Sequence, residues 1–510
     1  MTETSSEPTG TLATALAHAG KLLASRPDGA AEQAREILKV VPGQPQATLI
    51  LGAALRRQGD LAGARATLEA LASREPRAPA VRFELGLVLA SEGSTDGAIK
   101  ALSTAVALDP NFTDAWSVLA QQYALAGDDK SASDAMARYL LSASREPALI
   151  EAATALCENK LAIAERLLKD FLKANANSVA ALRMLAEVAA RLGRYGDAQA
   201  LLARCLDLAP GFAVARHNFA TVLHRQNKSE EAIAQVDILL RDDPRNPGYR
   251  ALKGAAFGQI GEYGKAIECY EDVLASFPSQ PRAWMSYGHA LKAVGRQVDS
   301  ITAYQRSVAL SPALGEAYWS LANLKTFHFD DAAVSAMRTA LGRSDLADED
   351  RYHLHFALGK ALEDARIYNE SFEHYAAGNS LRRASVIYDP EETTDHVRRS
   401  KALFTPAFFA AREGQGDPSS DPIFIVGLPR AGSTLIEQIL ATHSQVEGTM
   451  ELPDIISIAR RLSGRKAHSE TSAYPEVLAS LGPDQLAELG AEYLSRTRVQ
   501  RKLGRPFFID

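Results

Sequence analysis

A chain of 510 residues is longer than a single hydrophobic core usually grows, so two or more domains are expected. Apolar residues make up 46% and charged residues 23%, and a net charge of −6 offers no overall basic field for nucleic acid or anionic lipid. The three cysteines, Cys157, Cys205 and Cys269, are far apart and form no CxxC pair, which argues against a zinc site or a disulfide framework.

The N-terminus, MTETSSEPTG, has neither the basic start nor the apolar stretch of a secretory signal, and no run of 18 apolar residues occurs. A reduced, cytoplasmic setting without membrane attachment is expected. Beyond this start, self-similarity dominates the chain. Prolines stand at 42, 76 and 110 and again at 210, 244, 278 and 312, in steps of 34 within each set. Ten residues after most of them comes a small residue: Gly52, Gly86, Ala120, Ala220, Gly254, Gly288 and Ala322. Seven further on lies a turn residue, Gly59, Gly93, Gly127, Gly261 or Gly295, with Asn227 substituting. Five beyond the turn comes another small residue, as at Ala64, Ala98, Ala132, Ala232 and Ala266.

That spacing predicts helical hairpins. Small residues let two helices approach, Gly or Asn ends the first helix in a left-handed cap, and proline marks the end of the second. One hairpin cannot bury its own apolar face, so neighbours must stack. The pattern resembles the tetratricopeptide repeat, including a large residue early in the first helix at Trp116, Trp284 and Tyr318. Between Pro110 and Pro210 the frame slips: Pro147 arrives late, its first helix is shortened, and Asn159 serves as the turn, so a local kink near 145–160 is expected. After Pro312 the signature decays, with Phe329 at the turn and Val334 at the small position, and a divergent hairpin over 355–383 is expected to cap the array. Its His355, His374 and Tyr375 are read as packing residues. The domain expectation is a solenoid with its cap over 1–385, a helical connector and linker over 386–421, and a separate domain over 422–510.

The last domain opens with PIFIVGLPRAGSTL, residues 422–435: an apolar run, a glycine-bounded turn, and two hydroxyl residues starting an amphipathic helix. Gly427 and Gly432 permit a tight turn that points N–H groups at an anion, and the helix near Ser433 adds its own unpaired N–H groups. A strand, glycine turn and helix also occur in any α/β domain. The spacing nearly matches GxxxxGK[ST], but Ser433 stands where lysine is required, which disfavours an ATPase, GTPase or kinase. The cation lies inside the loop instead, at Arg430.

This displaced cation makes the segment similar to the 5′-phosphosulfate loop of sulfotransferases, P-[KR]-[SA]-G-[ST]-T, here Pro429, Arg430, Ala431, Gly432, Ser433 and Thr434. The following ATHSQVEGTMELPDI, residues 441–455, resembles the segment of tyrosylprotein sulfotransferases and their bacterial relatives that carries a catalytic glutamate, matching Glu451. On the residues alone Glu451 has a second reading, a carboxylate favourable near the helix N-terminus that Pro453 marks. His443, near the end of the first helix, and the basic run Arg460, Arg461, Arg465 and Lys466 are read mainly as a favourable helix-end residue and a solvated face.

The resemblance implies a mainly α protein: a tetratricopeptide-repeat superhelix followed by an incomplete α/β P-loop-like sulfotransferase domain. It implies metal-free transfer of a sulfuryl group from 3′-phosphoadenosine 5′-phosphosulfate to a hydroxyl, protein tyrosine being the acceptor the resemblance favours. Catalytic roles fall to Arg430 and Glu451, and the repeats bind a protein or peptide acceptor, another hydroxyl substrate or a protein partner. The family's active-site lysine and 3′-phosphate residues would lie beyond RPFFID and Asp510, so the domain reads as a fragment of weak activity. The rival expectation is a repeat scaffold with an inactive C-terminal remnant.

Overall fold

A computed structural model describes residues 11–126, 128–143, 146–324, 326–386, 388–464 and 472–510. The chain divides into two compact units, one ending at Gly378 and the other running Asn379–Asp510 and taking in Gln259–Glu262.

The first unit is a succession of helical hairpins. In one frame, helices Pro45–Gln58 and Leu61–Arg74 are joined by Gly59 at φ +88°, and the Asp60 side chain caps the second helix by accepting from Gly63 N–H at 2.9 Å. Gly93, Gly193, Gly261 and Gly295 repeat the left-handed turn, as do Asn159 at φ +55° and Asn227 at φ +59°. Gly127 lies outside the described residues. The small second-helix positions Ala64, Ala98, Ala164, Ala198, Ala232 and Ala266 are fully buried.

The glycines at the small position of the first helix face a large residue of the second, sixteen positions on. A Cβ on Gly52 would meet Leu68 at 2.6 Å, one on Gly86 would meet Leu102 at 2.6 Å, and one on Gly288 would meet Tyr304 at 2.6 Å. Leu68, Leu102, Leu168, Leu202, Val236, Tyr270 and Tyr304 share this frame position and are all buried. Burying such a side chain contributes about 1.5–3 kcal/mol, and repetition of that term holds the stack together.

The large residue early in the first helix also has a defined task. The indole nitrogens of Trp116 and Trp284 each donate at 2.8 Å to the carbonyl of the proline six residues earlier, Pro110 and Pro278. Arg216 and Arg250 occupy the same frame and donate to Pro210 and Pro244 carbonyls at 2.6 and 2.8 Å. Tyr318 differs: it is 1% exposed and packs in the core with Met337 and Leu354.

At the slipped repeat the first helix, Pro147–Cys157, has 11 residues against 13 or 14 in neighbouring frames such as Val179–Arg191 and Thr113–Ala126. Beside it, the guanidinium of Arg183 lies 5.6 Å over the ring of Tyr139, joining helices on either side of the shortened hairpin. Further along, Gln280 donates to the Thr95 hydroxyl at 3.1 Å, both residues buried, although 185 positions separate them. Gly93 makes this approach possible: a Cβ there would lie 2.8 Å from the Ser276 carbonyl.

The array ends with helix Gly315–Ala322 of only 8 residues, helix Asp331–Leu341, and a closing hairpin of helices Asp348–Asp364 and Tyr368–Ser385. There Arg366 takes the turn at φ +61°, and Tyr375 packs over Gly359, where a Cβ would be 2.9 Å from its ring. His355 and His374 meet Nδ1 to Nδ1 at 2.9 Å across the hairpin.

After residue 388 the second unit carries helices Pro390–Leu403 and Pro406–Ala410, neither with a buried residue. Arg399 ties the first of them to the Ser472 carbonyl at 2.7 Å and to the Glu476 carboxylate at 2.8 Å. Three parallel strands follow, β1 (Pro422–Ile423), β2 (Val446–Gly448) and β3 (Phe507–Ile509), in the order β1-β3-β2. The apolar run after Ile423 keeps one more bond along β3, Ile425 N–H to Asp510 O at 2.9 Å, and then turns outward, with Phe424 and Val426 51% and 89% exposed. Leu452, Ile458, Tyr493 and Phe508 form the core beside the sheet.

Candidate functional site

Strand register puts Ile423 beside Ile509 and Gly448 beside Ile509, so all three strands finish at one edge. From that edge leave the glycine loop after β1, the segment Thr449–Pro453 after β2, and Asp510 after β3. In parallel sheets this is the edge where loops gather around a ligand.

The loop runs to helix Ser433–Ala441, whose N-cap Gly432 has φ +92°. Arg430 also adopts the left-handed region, at φ +67°, uncommon for a residue with a Cβ. The Ala431 N–H closes a turn onto Leu428 O at 3.1 Å, and Leu435 N–H bonds Gly432 O at 3.0 Å. Among the described residues, the N–H groups of Arg430, Gly432, Ser433 and Thr434 donate to nothing. The Arg430 guanidinium likewise has no hydrogen bond or ion pair among them and is exposed, as are Pro429, Ala431, Ser433 and Thr434. Unbonded amides beside a helix N-terminus with one unpaired cation suit a phosphate or sulfate group. Helix Ser433–Ala441 has no buried residue, and Leu435 and Ile439 are 66% and 59% exposed.

Glu451 emerges from the same edge, exposed and without a bonding partner among the described residues, rather than partly desolvated as a poised base would be. The backbone is bonded on either side of it: the Thr449 hydroxyl donates to Ile509 O at 2.6 Å, and Leu452 N–H donates to Asp510 Oδ1 at 3.3 Å. Helix Asp454–Leu462 follows at once. Asp454 is buried and paired with Arg496 Nε at 3.0 Å; burial raises its carboxyl pKa, Arg496 opposes that shift, and the charge of Asp510 adds to it. Tyr493 donates to Asp510 Oδ2 at 2.7 Å, and burial together with that bond pushes its phenol far above the ordinary range.

His443 turns the chain after the loop helix: its ring nitrogen accepts from Gln445 N–H at 3.3 Å and its carbonyl accepts from Arg505 at 3.0 Å. Arg461 is engaged by Glu492 at 2.7 Å, while Arg460 is exposed; Arg465 and Lys466 lie outside the described residues. Sequence reasoning missed Tyr493 and gave Asp510 no role, because their bond joins residues brought together only by the sheet. No group of three or more His, Cys, Asp or Glu side chains that could hold a metal occurs among the described residues, and no described helix is long and apolar enough to cross a membrane.

Residues 422–510 match the sulfotransferase family. Tetratricopeptide-repeat matches fall at 20–79, 54–111, 152–211 and 252–314, and a second repeat profile matches 89–157 and 189–256. The chain thus carries tetratricopeptide repeats followed by a sulfotransferase-family domain. It is 26% identical over 252 residues to an uncharacterized protein of Aquifex aeolicus, a match covering 49% of this chain and 33% of that protein. It is 34% identical over 71 residues to the small glutamine-rich tetratricopeptide repeat-containing protein 2 of Mycosarcoma maydis, covering 14% of this chain and 20% of that one. The chain therefore spans a third or less of these relatives. Among solved structures, a MamA crystal structure aligns at 22% identity and TM-score 0.29, over 31% of this chain and 93% of that one. MamA from Desulfovibrio magneticus RS-1 aligns at 18% identity and TM-score 0.30, over 31% and 90%.

Proposed function

We propose that this protein transfers a sulfuryl group from 3′-phosphoadenosine 5′-phosphosulfate to a hydroxyl, with tyrosine of a protein as the favoured acceptor. The observation that carries the reading is the loop Pro429–Thr434: four amides and a guanidinium that find no acceptor among the described residues, within a segment matching the sulfotransferase family. Those amides, with the Ser433 and Thr434 hydroxyls, hold the 5′-phosphate of the donor. In the transfer the acceptor oxygen bonds to sulfur as the bond from sulfur to the bridging oxygen breaks, and the bisphosphate leaves with that electron pair. Arg430 stabilises the charge growing on the leaving oxygen. Glu451 takes the proton of the acceptor hydroxyl, for which it must lose water when the acceptor binds. A phenol yields its proton more readily than an alcohol, which favours tyrosine.

In the same reading the solenoid of 1–385 presents the acceptor or a protein partner, 386–421 connects it, 422–510 does the chemistry without a metal, and the setting is cytoplasmic. A scaffold whose C-terminal domain no longer works is the second reading, and the exposure of Glu451 and of the loop helix favours it. Calorimetric titration of adenosine 3′,5′-bisphosphate separates them: the unaltered chain should bind and Arg430→Ala should weaken binding about 10- to 100-fold, the worth of a charge-assisted hydrogen bond. Binding indifferent to that substitution defeats the enzyme reading. ATP with magnesium binding more tightly than the bisphosphate would point to a nucleotide-hydrolysing site instead.

A further inference from the structure

The proposed chemistry uses two segments distant in sequence, the loop leaving β1 and the bridge Thr449–Leu452 leaving β2. Asp510 bonds to both. Its N–H donates to Ile423 O at 3.0 Å and its carbonyl accepts from Ile425 N–H at 2.9 Å, at the root of the loop. Its side chain reaches the other way: Oδ1 accepts from Leu452 N–H at 3.3 Å and Oδ2 from the Tyr493 hydroxyl at 2.7 Å. Tyr493 is 4% exposed, with its ring 5.7 Å from that of Phe424 and 6.2 Å from that of Phe508.

A buried phenol needs an acceptor, and any carbonyl could satisfy it. A carboxylate supplies two acceptor oxygens, and here one serves the phenol while the other serves the amide next to Glu451. With the Thr449 hydroxyl bonded to Ile509 O at 2.6 Å, the bridge is fastened on both sides of Glu451, whose own side chain remains unengaged among the described residues. The geometry points to Asp510 and Tyr493 as positioning residues: through the Leu452 amide they fix the backbone of Glu451 relative to the loop that carries Arg430. This rests on the reading of Glu451 as the base.

Because the loop is tied to Asp510 through its main chain, side-chain substitutions leave the phosphate seat in place and disturb the Glu451 side alone. In the full-length chain, Asp510→Ala should speed amide exchange at Leu452 at least about tenfold, while Asp510→Asn, which keeps one acceptor oxygen, restores most of the protection. Tyr493→Phe should lower kcat about 10-fold and Asp510→Ala about 100-fold, the scale of a misplacement near 1 Å. The bisphosphate Kd should stay unchanged in both, which also reports that they fold. A Leu452 amide that exchanges as fast in the unaltered chain as in Asp510→Ala overturns the inference, whether or not the chain turns over. So does undiminished kcat in both variants of an active chain. An unaltered chain that binds no bisphosphate fails earlier, at the reading of the loop, and that result is seen before any Asp510 or Tyr493 variant is made.

Discussion

Glu447, 1% exposed, keeps Oε1 3.6 Å from Arg501 Nε, too long for a hydrogen bond, while its Oε2 accepts the Leu503 N–H at 2.6 Å. Arg501 in turn lies 4.6 Å over the Phe508 ring and 3.1 Å from Asp421. One buried charge thus joins β2 to the turn that leads into β3. Glu447→Ala strands that amide and removes one of the two carboxylates that balance Arg501, so it should cost about 3 kcal/mol, the lower end for breaking a buried pair, since Asp421 remains. Calorimetry should show the transition of the second unit moving to lower temperature while that of the solenoid stays; an unmoved transition contradicts the assignment.

Gly288 sits where a Cβ would be 2.6 Å from Tyr304. Gly288→Ala should destabilise the solenoid by about 1–3 kcal/mol through overpacking. Adding Tyr304→Leu should recover part of it, because the frames with alanine at the small position, Ala152 with Leu168 and Ala186 with Leu202, bury both residues in one core. Gly264→Ala is the contrast, a helical glycine with open space around its Cβ position, and should be neutral or stabilising by up to about 1 kcal/mol. Urea midpoints of the three variants decide the point.

Burial lowers the pKa of His217 and His289 in the repeats from the ordinary 6.5. The unfolded chain then binds more protons as pH falls below 6.5, so stability is full above that value and declines toward the lower folded pKa. Each histidine contributes at most about 1.4 kcal/mol per pH unit in that window. The melting temperature of the solenoid should drop between pH 7.5 and 5.5, and the double substitution His217→Gln with His289→Gln should shrink the difference; an equal drop in the variant speaks against it.

Glu451→Gln separates the second proposed catalytic role from the first. It should leave bisphosphate affinity within about twofold and reduce turnover about 10²- to 10⁴-fold, the usual contribution of a general base. Comparable turnover in the variant would assign the proton to another group.

The repeat frame was legible because two of its constraints are carried by residue type: left-handed turns demand Gly or Asn, and close helix contact demands small residues. Arg216 and Arg250 were missed since they do with a guanidinium what Trp116 and Trp284 do with an indole, and sequence pattern grouped only the aromatics. In the second unit the loop was readable from its glycines and from Arg430. Strand β2 was not, because three residues, Val446–Gly448, are too few for alternation to register. The link of Asp510 to Tyr493 and Leu452 was invisible for another reason: it depends on β3 lying between β1 and β2, and no local spacing encodes that order.

The hydrogen bond from Gln280 to Thr95 has a bearing on how this solenoid can change over time. An open stack gains or loses whole repeats at little cost, since each copy touches only its neighbours. Here two turns that meet set the number of hairpins between them. Duplicating or deleting one 34-residue copy between these positions would pull them apart and expose Phe277, whereas a copy added ahead of Thr95 would leave the junction whole.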